Sequence, residues 1–251
     1  AVSVNEEREE REDTMQAFKA VLFGLALALI APLPTYSQED CPNRGDLDTP
    51  YCDTNGDLTA DTPKDPKKLK NPNTLVLTYT PVEDPAVYEK MFKPFTDYLA
   101  QCTGKRVVYF QVQSNAAEIA AMRAGRLHGA GFSTGPTAFA VNIAGAVPFA
   151  MKGFEKEFQG YHLYVIVRKD GPYHKLADLK GKKFAHTSPS SNSGHMAPLA
   201  LFPKEGLTPG TDYKILFSGK HDQSLMGVKS GDYDGAAVAS DVYDRMVKRG
   251  I

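Results

Sequence analysis

The chain has 251 residues, 42% of them hydrophobic and 24% charged, with a formal net charge of −1. That is enough apolar material for one large domain or two small ones with real cores. The balanced charge excludes bulk electrostatic recognition of nucleic acid or of a membrane surface, so any recognition of charge has to be local.

The stretch Met15 to Leu33, "MQAFKAVLFGLALALIAPL", has a lysine, a short apolar run and then small residues. This pattern reads as a secretory signal peptide, too short and too weakly flanked for a membrane span. Cleavage is expected after Ser37, and residues 1–37 are set aside as a misassigned start plus that signal. Export permits disulfides. Of the three cysteines, Cys41 and Cys52 are close enough in sequence to pair across a short loop, and Cys102 is left over as a thiol.

Residues 38–72 are poor in apolar groups and rich in Asp and Pro, so they read as an acidic linker. One piece has more pattern. In "DTNGDLTAD", Asp53, Asn55 and Asp57 recur at every second position and Asp61 follows. Hard cations take several oxygen ligands from such a loop, so a structural Ca²⁺ site stands beside the solvated-linker reading. Lys64 occupies the place where an EF-hand loop needs its last carboxylate, which argues against that motif.

From Asn73 the texture becomes strand, helix, strand. "TLVLTY" alternates as a strand, and "DPAVYEKMFKPFTDYLAQCTG" has helical spacing between Pro85 and Gly104. "RVVYFQVQ" and "GAG" are further strands, separated by a helix capped at Ser114 or Asn115 and followed by another helix after Ser133. The same order repeats after Gly160, from the strand "YHLYVIVRKD" to the helix "VYDRMVKRG". Short links between alternating strands and helices predict a largely parallel sheet covered by helices. Two modules are expected, residues 73–159 and 160–251, with a return segment to the first module lacking.

Between a strand and a helix of the second module stands "HTSPSSNSGHMAP", His186 to Pro198. The first N–H groups of a helix have no intrahelical partner, and the helix dipole places partial positive charge there. A turn of small hydroxyl residues lets an anion approach those groups, and Gly194 has no side chain to block it. A micromolar ligand needs about 8 kcal/mol, whereas charge-assisted hydrogen bonds contribute roughly 1.5–3 kcal/mol each. One turn is therefore insufficient. Ser133 and Thr134, at a matching turn of the first module, are placed to close from the other side. Tyr161 is a candidate cleft residue at the crossover, and Asp241 a candidate acceptor for a ligand proton. His221 begins a helix, and on position alone it reads as a helix-capping or surface histidine; were it at the anion, it would serve as a cation or as a neutral donor.

These segments, with "AGFSTGPTAF" and "SGKHDQSLMGVKSGDYDGAAVASDVYDRM", resemble the periplasmic substrate-binding proteins of phosphonate, phosphite and phosphate ABC transporters. The resemblance covers Thr74 to Ile251. It implies an α/β fold of the type II periplasmic-binding-protein class, with two lobes around a ligand cleft. It implies no enzymatic activity and no cofactor, a small phosphorus oxyanion as ligand, a membrane permease as partner and a periplasmic monomer. Residue by residue, Ser191, Asn192, Ser193 and Gly194 match the family's anion-holding turn, with Asn192 departing from the usual threonine. His221 matches a ligand-contacting histidine, Ser133 and Thr134 match the opposing turn, and Thr80 lies in the first-strand turn.

Rival readings are a binding lobe that senses the same anions without transport, and a serine hydrolase using Ser193, His221 and Asp241. The GxSxG elbow that a hydrolase of the α/β class would carry is not in the sequence, nor is a GxxxxGK[ST] phosphate loop. Cysteines and histidines show no zinc spacing.

Overall fold

The computed structural model describes residues 41–251. The signal-peptide reading of Met15 to Ser37 lies outside the described residues. Pro42 to Ile251 form one compact unit.

Its first sheet has three parallel strands, β1 (Thr74–Tyr79), β2 (Arg106–Tyr109) and β3 (Gly129–Gly131), in the order β2-β1-β3. The register pairs Leu75 with Val107 and Thr78 with Ala130. Three helices connect or follow these strands: α1 (Ala86–Thr103), α2 (Asn115–Arg123) and α3 (Thr134–Ala144). The cap at Ser114 and the stop at Gly104 sit where the sequence placed them. Ser114 caps α2, its hydroxyl accepting from the Ala117 N–H, and Gly104 and Gly145 close α1 and α3 in left-handed conformations. Pro94 is carried inside α1. A short antiparallel ribbon, β4 (Gly153–Phe154) with β5 (Glu157–Phe158), follows.

The second sheet has four strands, β6 (Leu163–Val167), β7 (Phe184–His186), β8 (Ile215–Phe217) and β9 (Gly235–Ala239), in the order β6-β9-β7-β8. β9 runs parallel to β7 and antiparallel to β6, so this sheet is mixed. As its central position demands, every residue of β9 is buried. Its Ala237 packs with Phe184, Phe202, Leu207 and Tyr213, and its Ala236 and Val238 pack with Ala185 and Val228. The first sheet is less deeply enclosed, with β1 mostly half-buried. Helices α5 (His221–Ser230) and α6 (Ser240–Lys248) complete this half.

The helix expected from Gly194 onward begins two residues earlier and is not uniform. Asn192–Met196 is a π-turn, followed by a short α-helix, α4 (Ala197–Leu201), and a 3₁₀ turn, Phe202–Glu205. Pro198 and Pro203 explain the segmentation, because neither can donate to the preceding turn. No helix among the described residues is long and apolar enough to cross a membrane.

The acidic segment is not a free linker from Pro42 on. Leu47 is buried, the Asp48 N–H donates to the Asn142 carbonyl (2.7 Å), and Asp48 pairs with Arg123. The aromatic ring of Tyr51 packs over Gly145. Cys41 and Cys52 are both disulfide-bonded, while Cys102 is free and exposed.

Candidate functional site

A cleft is lined by Pro81, Val82, Asn115 and Ser133 from the first half, and by Thr187, Ser188, Ser191, Gly219, Lys220 and His221 from the second. Helices α2 and α5 each bring their first residue to it, and α3 its N-cap residue. Three helix starts, with the partial positive charge of their dipoles, therefore meet at one small space. No carboxylate lines it, and Lys220 is its one lysine or arginine.

The serine turn is built around Gly194. A Cβ there would collide with Thr187 Oγ1 and approach Ser191 Oγ, so only glycine lets the strand end and the turn meet. Ser191 Oγ accepts from the Gly194 N–H (3.1 Å), and the Gly194 carbonyl accepts from the Thr187 N–H (3.2 Å). The hydroxyl of Thr187, 1% exposed, has no hydrogen-bond partner. An unpaired buried hydroxyl costs about 1–3 kcal/mol, so its position at the cleft wall marks it as a group held for something else.

The opposing half reaches the turn through two devices. Asn115 Nδ2 donates to Ser188 Oγ and to Ser190 Oγ, both at 3.2 Å, while its Oδ1 accepts from the Thr80 hydroxyl (3.0 Å). At the start of α3, Gly135 lies against the Ser190 carbonyl and the Asn192 N–H so closely that a side chain would not fit. Ser133 caps α3 without spending its hydroxyl on the helix, which leaves that hydroxyl for the cleft. Behind the cleft, the segment Val82–Asp84 is stitched to α5 and α6. The His221 N–H donates to the Val82 carbonyl (3.1 Å) and the Asp84 N–H to Asp222 Oδ2 (3.1 Å). Glu83, buried, takes Arg245 Nε (2.6 Å) and Arg249 Nη1 (2.9 Å).

The protonation of His221 follows from its neighbours. It is 4% exposed, and burial pushes its pKa down to about 4, so the ring is neutral near pH 7. Its Nδ1 accepts from the Ala239 N–H (3.0 Å), which places the proton on Nε2. That N–H points toward Ser191 Oγ at 3.5 Å. Of the two roles the sequence left open, cation or neutral donor, the structure holds the neutral donor.

Of the sequence-predicted residues, Ser191, His221 and Ser133 line the cleft. Gly194 shapes it from behind, Ser193 is buried in the π-turn and Asn192 is exposed. Thr134 and Tyr161 do not line it; their hydroxyls bond each other at 2.6 Å. Thr80 is wholly buried and serves Asn115 rather than the cleft. Asp241 turns away to Arg245 Nη1 (2.9 Å), four residues on along the same helix, so it is not the expected acceptor. His195 hydrogen-bonds His186 through their Nδ1 atoms (2.8 Å), and so belongs to the support of the turn. His221 Nδ1 is engaged by the Ala239 N–H and Asp241 by Arg245, so the serine–histidine–aspartate line that a hydrolase would need is not formed in this arrangement.

Asn115, Thr187, Ser188 and Lys220 were missed. Lys220 and Thr187 had a local signal, each standing where a strand runs out into the loop before a helix start. Asn115 had none beyond its helix-start position, because its partners are 35 to 75 residues away.

The predicted calcium loop has a different fate. Asp53 Oδ1 accepts from the N–H groups of Gly56 and Asp57, and Oδ2 from that of Leu58, at 2.8–3.0 Å. Asp57 accepts from Thr59, Asn55 Oδ1 from the Asp57 N–H, and Asp61 from Thr54. These oxygens are taken up by the loop's own donors. Among the described residues no three His, Cys, Asp or Glu side chains gather to hold a metal.

Comparison with known proteins agrees with this architecture. Residues 77–251 match the model of the family described as ABC transporter, phosphonate, periplasmic substrate-binding protein. The chain is 30% identical over 192 residues to the phosphate-import protein PhnD of Mycolicibacterium smegmatis, an alignment covering 71% of this chain and 59% of that protein. It is 25% identical over 190 residues to a probable ABC transporter phosphite binding protein, PhnD1, of Prochlorococcus marinus, covering 72% and 63%. The chain thus spans about three fifths of the length of these curated relatives. The structure of Prochlorococcus PhnD1 in complex with methylphosphonate superposes with a TM-score of 0.64 at 24% identity, covering 72% of this chain and 68% of that one. With an α/β fold of the type II binding-protein class and a family match over most of its length, the chain belongs to the periplasmic substrate-binding proteins of phosphonate ABC transporters.

Proposed function

We propose that this protein captures a small phosphorus oxyanion (phosphonate, phosphite or phosphate) in the cleft between its two sheets and delivers it, outside the cytoplasm, to an ABC permease. The observation that carries the reading is the unpartnered, buried hydroxyl of Thr187 in a wall that carries several donors and no carboxylate. Beside it stand the Ser191, Ser188 and Ser133 hydroxyls, the His221 Nε2–H and the Lys220 ammonium. Three or four charge-assisted bonds at roughly 1.5–3 kcal/mol each meet the requirement of a micromolar ligand. The disulfide-bonded Cys41 and Cys52 fit an oxidising compartment. The make-up of this wall supports binding rather than catalysis. Its histidine is a fixed neutral donor with its other nitrogen engaged, and its serines are hydrogen-bonding groups without a base.

The test is a thermal-shift panel with phosphate, phosphite, methylphosphonate, 2-aminoethylphosphonate and sulfate. Ligand binding to the native state raises the melting temperature with the logarithm of concentration over Kd. A rise with a phosphorus oxyanion well above that with sulfate supports the reading. A cooperative melt that none of the phosphorus compounds shifts overturns it.

A further inference from the structure

The cleft spends its acceptors on the protein and keeps its hydrogens. Ser191 Oγ accepts from the Gly194 N–H (3.1 Å) and faces the His221 Nε2–H at 3.5 Å. Ser188 Oγ accepts from Asn115 Nδ2, and Asn115 Oδ1 accepts from the Thr80 hydroxyl. The other ring nitrogen of His221 is taken by the Ala239 N–H. The backbone follows the same rule. The carbonyls of Val82, Ser133, Thr187, Ser188, Ser191 and Lys220 each accept from an N–H elsewhere in the chain. Among the described residues no carboxylate lines the cleft, and Asp241, the candidate acceptor for a ligand proton, is committed to Arg245.

What stays uncommitted is a set of hydrogens. With its oxygen facing two donors, Ser191 has its own hydroxyl hydrogen to give. Ser188 stands the same way toward Asn115. The Thr187 hydroxyl, 1% exposed, has no partner, and Ser133 keeps its hydroxyl off the helix it caps. An ionised phosphoryl oxygen accepts from all of these. A P–OH group is a donor and needs an acceptor instead. The Thr187 and Ser133 oxygens are open to it. A hydroxyl that accepts there turns its own hydrogen off the ligand, toward carbonyls already engaged. A protonated ligand thus gains a weak bond and forfeits a charge-assisted one.

We infer that the cleft selects its oxyanion in the fully ionised form, the one with no P–OH hydrogen, so that the ligand's own second ionisation sets the pH dependence of capture. The inference rests on the cleft being the oxyanion site. Affinity is full above that ionisation and falls as pH drops through it. The titratable groups at the wall are His221 and Lys220. Behind them stand Glu118 on α2, Asp222 on α5, Glu83 with Arg245 and Arg249, and the pair of His186 and His195 under the serine turn. None of these changes when the ligand is exchanged, so a break that moves with the ligand belongs to the ligand.

The experiment is calorimetric titration with methylphosphonate and with fluoromethylphosphonate from about pH 5 to about pH 9, a range around the second ionisation of a phosphoryl group, which lies near about 6 in a phosphate ester. Fluorine withdraws electron density and lowers that ionisation, and each ligand is titrated alone to locate it. Wild-type affinity for each should fall at least about tenfold from its high-pH plateau, the amount of one charge-assisted hydrogen bond. The fluorinated ligand should break at lower pH, by the difference between the two ligands. Lys220→Met should bind more weakly and keep the preference, because the preference lies in the hydrogen bonds and not in that one charge. Equal affinity for the two forms, tighter binding at low pH, one break shared by both ligands, or a preference that vanishes in Lys220→Met each overturns this inference and leaves the reading of the cleft standing. No binding of either ligand by wild type at any pH overturns both. Should Lys220→Met bind neither ligand, the two-ligand comparison in wild type decides alone.

Discussion

Two loops of this protein are equally rich in small polar residues, and they behave in opposite ways. In the acidic loop, Asp53 to Asp61, the carboxylates are taken up by the loop's own N–H and hydroxyl groups. In the serine turn, Thr187 to Met196, a buried hydroxyl is left without a partner and an N–H-bearing histidine is aimed at the same space. A loop that satisfies itself is a structural device. A loop that holds unspent donors against a wall of helix starts is a recognition device. Composition does not separate the two; the hydrogen-bond account does.

The comparison can be broken most severely at glycine. Gly194→Ala drives a methyl into Thr187, so oxyanion affinity should fall on the order of 100-fold, with about 1–3 kcal/mol of stability lost to overpacking. Gly56→Ala in the acidic loop meets no neighbouring atom and strains only its positive φ, so it should cost about 1 kcal/mol and leave affinity alone. Calorimetry and urea unfolding of the two variants check both halves. Equal effects on binding would erase the distinction between the loops.

Next in size is the orphan hydroxyl. Thr187→Val is expected to weaken binding about tenfold while the ligand-free protein melts at the same temperature or higher, because an unpaired buried donor is removed. Asp53→Ala should do the reverse, losing about 1–3 kcal/mol as three N–H groups lose their acceptor, with affinity unchanged. Added Ca²⁺ should leave its wild-type parent's melting temperature unmoved.

The buried histidines add a pH signature. His221 and His186 are each pushed down to about 4 from an ordinary value of 6.5, mainly by burial. Between those values the unfolded chain takes up protons that the folded protein refuses. Their contribution is thus fully present above about pH 6.5 and is lost as pH falls toward about 4. Melting curves in that window should show the decline, and His221→Gln should make it shallower. The smallest effect expected is at Asp241. Its partly exposed pair with Arg245 contributes less than about 1 kcal/mol, so Asp241→Asn should bind within about twofold of wild type. A tenfold loss there would return this carboxylate to the ligand site.

What the amino-acid sequence by itself determined is the part governed by near neighbours in the chain. The strand of "TLVLTY", the cap at Ser114, the left-handed closure at Gly104 and the serine turn before a helix depend on periodicity and on the φ range of single residues. The resemblance that led to the family rests on the same local stretches. Only the tertiary structure decided which polar groups were already taken. Thr80 was assigned to the ligand and serves Asn115; Thr134 and Tyr161 were assigned to it and bind each other; Asp241 turned to Arg245. The tautomer of His221 is set by the N–H of Ala239, eighteen residues away, and Asn115 reaches serines more than seventy residues on. A side chain's chemistry is written in its letter, but whether that chemistry is still available is settled by the partners that long-range packing brings within about 3 Å.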